Sequence, residues 1–195
     1  PFVNIEVAEK FHAVYSVWET HWDDEKGTVL PTSVGNVAQN AHQKHPNKRL
    51  IIHFMQPHYP FVDSPELGGN IEGLRNRALG GVNDSDNLTP WLRLWRGEIS
   101  EDRVWNAYKR NLELVMEAAN ELVDYLDGRS VITSDHGNAI GERIWPFPIQ
   151  YYGHNRGIHI PVLVEVPWDS RSGSPRTIRS DPPISDNSYD EDEMK

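Results

Sequence analysis

A chain of 195 residues with 37% hydrophobic and 25% charged side chains holds enough apolar material for one sizeable core and too little for two independent ones. No run approaches the roughly 18 apolar residues of a membrane helix, and a net charge of −10 repels phosphate backbones and anionic lipid heads, so neither membrane insertion nor nucleic-acid binding is expected. The absence of cysteine removes disulfides, thiolate metal sites and cysteine nucleophiles, in keeping with a soluble protein of the reducing cytoplasm.

The opening residues lack the basic then apolar layout of a secretory signal, and the start at Pro1 reads as a piece of a longer protein. His12 to Trp18 is rich in β-branched and aromatic residues and predicts a short strand running into the acidic loop 19–25. After Pro31, Thr32 is placed to cap a helix whose Val34, Val37, Ala38 and Ala41 recur at i, i+3, i+4, i+7, up to the stop at His45-Pro46. Arg49 to Met55 is a nearly continuous apolar run, the pattern of a strand buried on both faces in a parallel sheet, and it delivers its end to Pro57-His58-Tyr59-Pro60.

Residues 62–97 hold many turn formers, with Trp91 and Trp95 as apolar anchors, and read as an irregular insertion. Ser100 caps the strongest predicted helix, in which Val104, Tyr108, Leu112, Val115, Ala119, Leu122 and Leu126 recur every three or four residues before Gly128. Ser130 to Ser134 predicts a second buried strand and Pro161 to Val166 a third. Strand, helix, strand in that order predicts an α/β fold: a mostly parallel sheet with helices on both faces, over residues 1–168. Residues 169–195 have almost nothing to bury and predict a disordered acidic tail.

In open parallel sheets ligands bind beyond the carboxyl ends of the strands. That rule selects the loop around His58, the loop Ser134-Asp135-His136-Gly137-Asn138, and Tyr152-Gly153-His154-Asn155 folding back over the same edge. Asp135 and His136 offer an oxygen and a nitrogen donor, a mixture suited to zinc, manganese or another borderline divalent ion, and His154 supplies a third. An Asp-His turn that merely caps a helix is the competing reading. His58, stiffened by a proline on either side, suits a donor or general acid towards a substrate anion, against the alternative of an incidental surface histidine. Arg143 is a candidate for pairing with an oxyanion. His53 reads as a core histidine, His21 with Asp23 and Asp24 as a solvated acidic loop, and His12, His42, His45 and His159 as histidines without a function.

Three segments, His53 to Phe61, Val131 to Gly137 with Gly141-Glu142, and Tyr152-Gly153-His154 leading into Ile160-Pro161-Val162, resemble in order and spacing the second half of the alkaline phosphatase and sulfatase superfamily, most closely its sulfatase-like branch in halophilic archaea. The resemblance covers residues 10–168 and implies an alkaline-phosphatase-like domain whose N-terminal portion is missing here. It implies a metal-dependent hydrolase or transferase acting on small-molecule phosphate or sulfate esters. Asp135, His136 and His154 then correspond to ligands of a divalent ion (zinc, manganese, calcium or magnesium), and His58 to a substrate-contacting, catalytic histidine. The family's first metal-binding Asp and its Ser, Thr or Cys nucleophile have no counterpart, since Thr32 and Ser33 are better read as helix-start residues. A degenerate relative that binds a sugar phosphate, lipid head group or protein partner without turnover is the alternative.

Overall fold

The structure, a computed structural model, describes residues 7–68, 89–146 and 148–184. Two one-turn helices, α1 (Val7–Lys10) and α2 (Val17–Thr20), precede a minimal antiparallel ladder of β1 (Trp22–Asp23) on β2 (Thr28–Val29). The predicted strand over 12–18 does not form; its β-branched residues express only a weak local preference, which the surrounding chain overrides. Within the acidic loop, the Asp23 carboxylate accepts from the backbone N–H groups of Glu25 and Lys26, both at 2.9 Å, so this acid closes a turn.

Helix α3 (Pro31–Lys44) matches the predicted span, but its N-cap is Leu30 and Pro31 takes the first helical position, leaving Thr32 an exposed residue rather than the cap. Of the predicted insertion, 69–88 lies outside the described residues; its end folds as α4 (Pro90–Trp95), capped by Thr89, whose hydroxyl accepts from Leu92 N at 3.2 Å. Trp91 is buried as expected, whereas Trp95 points outward. Helix α5 (Glu101–Tyr125) begins under the Ser100 cap, with acids in its first turn, as its spacing predicts. Its buried face is Val104, Ala107, Asn111, Val115, Ala118, Ala119 and Leu122, which keeps Val104, Val115, Ala119 and Leu122 of the predicted stripe but puts Asn111 inside and Leu112 outside.

No parallel sheet forms among the described residues, and the alkaline-phosphatase-like α/β architecture is overturned. The described strands make three separate two-stranded antiparallel pairs. Residues 49–55 join none of them, and His53, expected in a core, is exposed. A continuous apolar run carries no information about its partner, and here it has no sheet to enter. Strand β3 (Ser130–Thr133) forms where predicted but is not buried, its residues alternating between half-buried and exposed, and it pairs antiparallel with β6 (Trp168–Arg171), drawn from the segment expected to be disordered. The third predicted strand is instead α6 (Pro161–Val164), in which Pro161 sits at the first helical position with its φ already set for a helix. Between them, β4 (Ala139–Ile144) and β5 (Ile149–Gly153) form a hairpin with a bulge between Ile140 and Glu142.

Helix α5 organises the interior. Towards its C-terminal half it packs on α3, burying Val34, Val37, Ala38 and Ala41 with Val115, Ala118, Ala119 and Leu122. Its N-terminal half joins a cluster of Tyr59, Phe61, Leu67, Trp91, Leu94, Ile99, Val104 and Ala107, with Tyr108, Ile140 and Tyr152 against it. That cluster forms the floor under the loop at 56–61 and the open end of the hairpin.

Beyond β6 the chain runs as a strap: Arg179 N donates to Asn47 O at 3.0 Å, Ile184 N to His12 O at 2.9 Å, and the Arg176 guanidinium to Pro46 O at 2.7 Å. Backbone hydrogen bonding explains why a segment with little to bury is nonetheless placed; the remainder of the predicted tail, 185–195, lies outside the described residues. No helix among the described residues is long and apolar enough to cross a membrane.

Candidate functional site: a histidine cluster

Hairpin register builds half of the site. Ala139 pairs with Gly153, which sets the residues just outside the ladder, Asn138 and His154, against one another at its open end. His154 Nδ1 lies 2.5 Å from Asn138 Oδ1. Gly153 has φ 84, and an added Cβ would stand 3.1 Å from the Trp91 indole, so a side chain is strained and tightly placed at the residue just before His154.

The Asp-His turn is fixed from below by α6. Gly137 N donates to Leu163 O at 3.0 Å, and a Cβ at Gly137 would fall 2.0 Å from Val162 O, so only glycine lets the two backbones meet. Asp135 Oδ1 accepts from His136 N at 2.9 Å, while its Oδ2 lies 3.7 Å from His136 Nε2 and remains open to solvent.

His58 arrives from a separate stretch of chain, in a loop held largely by a side chain that the sequence reading missed. Asn111 of α5, 2% exposed, accepts from Val62 N at 2.9 Å through Oδ1 and donates through Nδ2 to His58 O at 3.1 Å and Pro60 O at 3.0 Å. Three backbone polar groups of a proline-interrupted loop, which has no sheet to pair with, are satisfied by a single amide. Buried Gln56 anchors the same loop to β2 through Val29 O at 3.0 Å. An asparagine standing at an apolar position of a long helix was the available sequence signal.

These placements bring three of the candidate residues into ring contact. His136 and His154 stack with centroids 4.2 Å apart, and His58 meets His154 edge-on at 5.3 Å while stacking on Tyr59 at 4.4 Å. Asp135 belongs to the same group through His136. Arg143 does not: it pairs with Gln150 towards the turn of the hairpin, roughly 13 Å along β4 from the histidine end at 3.3 Å per residue. The expected oxyanion role for Arg143 therefore has no geometric support.

The histidines share one protonation pattern. Nδ1 of His58 faces Tyr59 O, Nδ1 of His136 faces Gly137 O at 2.9 Å, and Nδ1 of His154 faces Asn138 Oδ1. A carbonyl oxygen only accepts, so each Nδ1 carries the proton and each neutral ring keeps its lone pair on Nε2. Burial pushes the pKa of His154 down to about 4, helped by His136 and His58 and opposed by Asp135, so it is a neutral base near pH 7. Burial likewise raises the Tyr108 phenol above its ordinary value, against a lowering influence from Asn138 and with the Asp135 charge raising it further.

A ring whose Nδ1–H is committed to a carbonyl and whose Nε2 is basic has the donor chemistry of a metal-bound histidine. The donors do not yet surround a point: among the described residues no three His, Asp or Glu side chains are arranged to hold an ion together, and stacked rings must turn edge-on to share one. The chain matches no family model, no curated protein and no solved structure.

Proposed function

We propose that this chain carries a divalent-metal-dependent centre for the hydrolysis or transfer of small-molecule phosphate or sulfate esters, acting in the cytoplasm and built on Asp135, His136 and His154 with His58 beside them. The observation that carries the reading is the convergence of three imidazoles from separate stretches of chain, all with Nδ1–H committed to an oxygen. The similarity of the His53 to Phe61, Asp135-His136-Gly137 and Tyr152-Gly153-His154 segments to sulfatase-like enzymes supports the same chemistry.

When bound, a divalent ion supplies Lewis acidity to an ester oxygen and lowers the pKa of a bound hydroxyl or water. Asp135, His136 and His154 are the residues to hold it, and the nitrogen donors favour zinc or manganese over calcium or magnesium. His58, its Nδ1 engaged with Tyr59, takes up and releases a proton at Nε2 and is suited to protonate a leaving oxygen. The stacked Tyr59 ring and the Asn111 amide keep that imidazole in place while it does so.

A second reading, anion or head-group binding without turnover, is favoured by the unclosed donor arrangement. Titration of the purified protein with Zn²⁺ and Mn²⁺ by calorimetry, followed by assay of an aryl phosphate and an aryl sulfate, separates the two. The catalytic reading expects one bound ion, lost in Asp135→Ala and His136→Ala, and metal-dependent turnover. Metal-free protein that retains an anion without cleaving it would leave only the binding reading.

A further inference from the structure

We propose that the acidic stretch Asp186 to Glu193 docks on a cationic face built by the strap and the C-terminal end of α3, an interaction independent of the histidine cluster. Three stretches of chain cross there. The Arg176 guanidinium donates to Pro46 O at 2.7 Å and Lys48 O at 3.2 Å, Arg179 N donates to Asn47 O at 3.0 Å, and Lys48 Nζ donates to Arg179 O at 3.1 Å. The strap also presses on the connection from α5 to β3: a Cβ on Gly173 would overlap Gly128 O, and one on Gly128 would stand 2.6 Å from Arg176 Cδ.

The crossing concentrates charge of one sign. Lys44, Lys48 and Arg49 come from the end of α3, Arg129 follows Gly128, and Arg176 and Arg179 come from the strap; the carboxylates on the same described stretches, 44–49, 127–129 and 173–181, are Asp127 and Asp181. Six cations against two acids leave a local excess of four positive charges in a chain whose net charge is −10. Part of that excess has a local use. Arg176 takes up carbonyls just beyond α3, Lys48 pairs with Asp181 at 2.5 Å, and Asp127 lies 3.7 Å from His42 Nε2. Arg49, Arg129 and Arg179 are exposed beside them, and like charges gathered on one face repel unless anions come among them.

The chain carries its own anions to this place. Asp186, Asp190, Glu191, Asp192 and Glu193 follow within nine residues of Ile184, whose N–H is tied to His12 O at 2.9 Å while His12 Nδ1 donates to Pro182 O at 2.7 Å. That tie starts the acidic stretch only three residues beyond Asp181 and its Lys48 partner. The chain from Ile184 to Asp190 reaches up to about 20 Å, enough to return over the face, and so short a tether holds the carboxylates there at a local concentration in the millimolar range. The strap has little else to fasten it: from 172 to 184 every residue but Arg176 and Ile184 is exposed, with Ile178 at 42%, so its hold is polar and sensitive to charge. Carboxylates laid across cations of both the strap and the end of α3 bind the one to the other, and they keep foreign polyanions off the face.

Because the chain has no cysteine, a nitroxide attached through Ser188→Cys reports where the stretch lies. In the full chain at about 0.02 M NaCl it is expected to broaden away the amide signals of 44–49, 129 and 176–181, and to spare them at about 0.5 M, where screening shortens the reach of each charge. Neutralising the stretch by Asp190→Asn, Glu191→Gln, Asp192→Asn and Glu193→Gln should abolish the broadening at low salt and speed hydrogen exchange of the Arg179 and Ile184 amides severalfold. Arg49→Glu together with Arg179→Glu should do the same from the other side. A label that spares these signals at low salt, broadens them equally after neutralisation, or broadens a different face overturns the proposal. So does a single-stranded oligonucleotide or a polyglutamate peptide that binds the full chain as tightly as the neutralised one, since the occupant is then a foreign polyanion. The neutralised chain decides the matter even if the Arg49→Glu, Arg179→Glu protein does not fold.

Discussion

A single buried amide decides where His58 stands. Asn111 replaces the ladder that a strand end would have supplied, and its three hydrogen bonds all go to backbone groups of 58–62. Replacing it with a leucine of similar size leaves one N–H and two carbonyls without partners, at about 1–3 kcal/mol for each buried group that water cannot reach. With the Val62 and Pro60 groups fully buried and the His58 carbonyl only partly so, Asn111→Leu is expected to lower the unfolding free energy by roughly 2–6 kcal/mol in urea denaturation, with the m-value unchanged. A loss below about 0.5 kcal/mol, the range of ordinary surface changes, would mean the loop is held by something else. The residue scale is also where the sequence was most legible: Asp135, His136, His154 and His58 were selectable by residue type and loop position. Asn111 offered only the signal of an amide at an apolar position of a long helix, and an amide does not announce which backbone groups it will hold until its neighbours are known.

At the scale of elements, periodicity read the helices well and the strands poorly. Helices α3 and α5 carry their hydrogen bonds within themselves, so a stripe of apolar residues and a cap suffice to define them. A strand is defined by its partner, and β6, the partner of β3, lies in a polar segment with no strand signature. The strap beyond β6 extends the same lesson. Lys48 Nζ pairs with Asp181 at 2.5 Å and holds the Asp181 carboxyl below its usual range, and His12 Nδ1 donates to Pro182 O at 2.7 Å. His45 stands beside them, bonded to the Tyr15 hydroxyl through Nε2 at 2.8 Å and edge-on to His12 at 5.2 Å. Burial lowers its pKa from the ordinary 6.5, and His12, Lys44 and Lys48 lower it further. The unfolded chain therefore takes up this proton first as the pH falls, so the stabilisation is complete above about 6.5 and is lost on descending through the folded-state value below it. Melting temperature should drop as the pH is lowered below about 6.5, and His45→Gln, which cannot titrate, should flatten that drop relative to wild type. Parallel curves for the two proteins would remove His45 from the acid response.

For the molecule as a whole, the decisive difference lies between a single layered sheet and three small ladders attached to a two-helix frame. The two arrangements disagree most sharply over residues 49–55. In a parallel sheet this run is buried on both faces; in the structure Ile51 is 79% exposed and Met55 51% exposed, whereas Phe61, only a few residues further on, is 1% exposed. The burial alternates along the run in the manner of an extended segment lying with one side against the body, Ile52 and Phe54 inward, Ile51, His53 and Met55 outward. A charge at an outward position meets water and should change stability by no more than about 0.5 kcal/mol, while a lysine inside a buried strand would cost several kcal/mol through desolvation. Ile51→Lys and Met55→Lys are accordingly expected to melt within a degree or two of wild type, and Phe61→Ala to lose about 3–5 kcal/mol as a cavity opens under the His58 loop. The contrast matters for function because it tests whether the histidines are supported from a sheet edge or, as the structure has it, from the Tyr59, Phe61 and Trp91 cluster and α5. If Ile51→Lys unfolds the protein while Phe61→Ala is tolerated, the frame around the site is drawn wrongly.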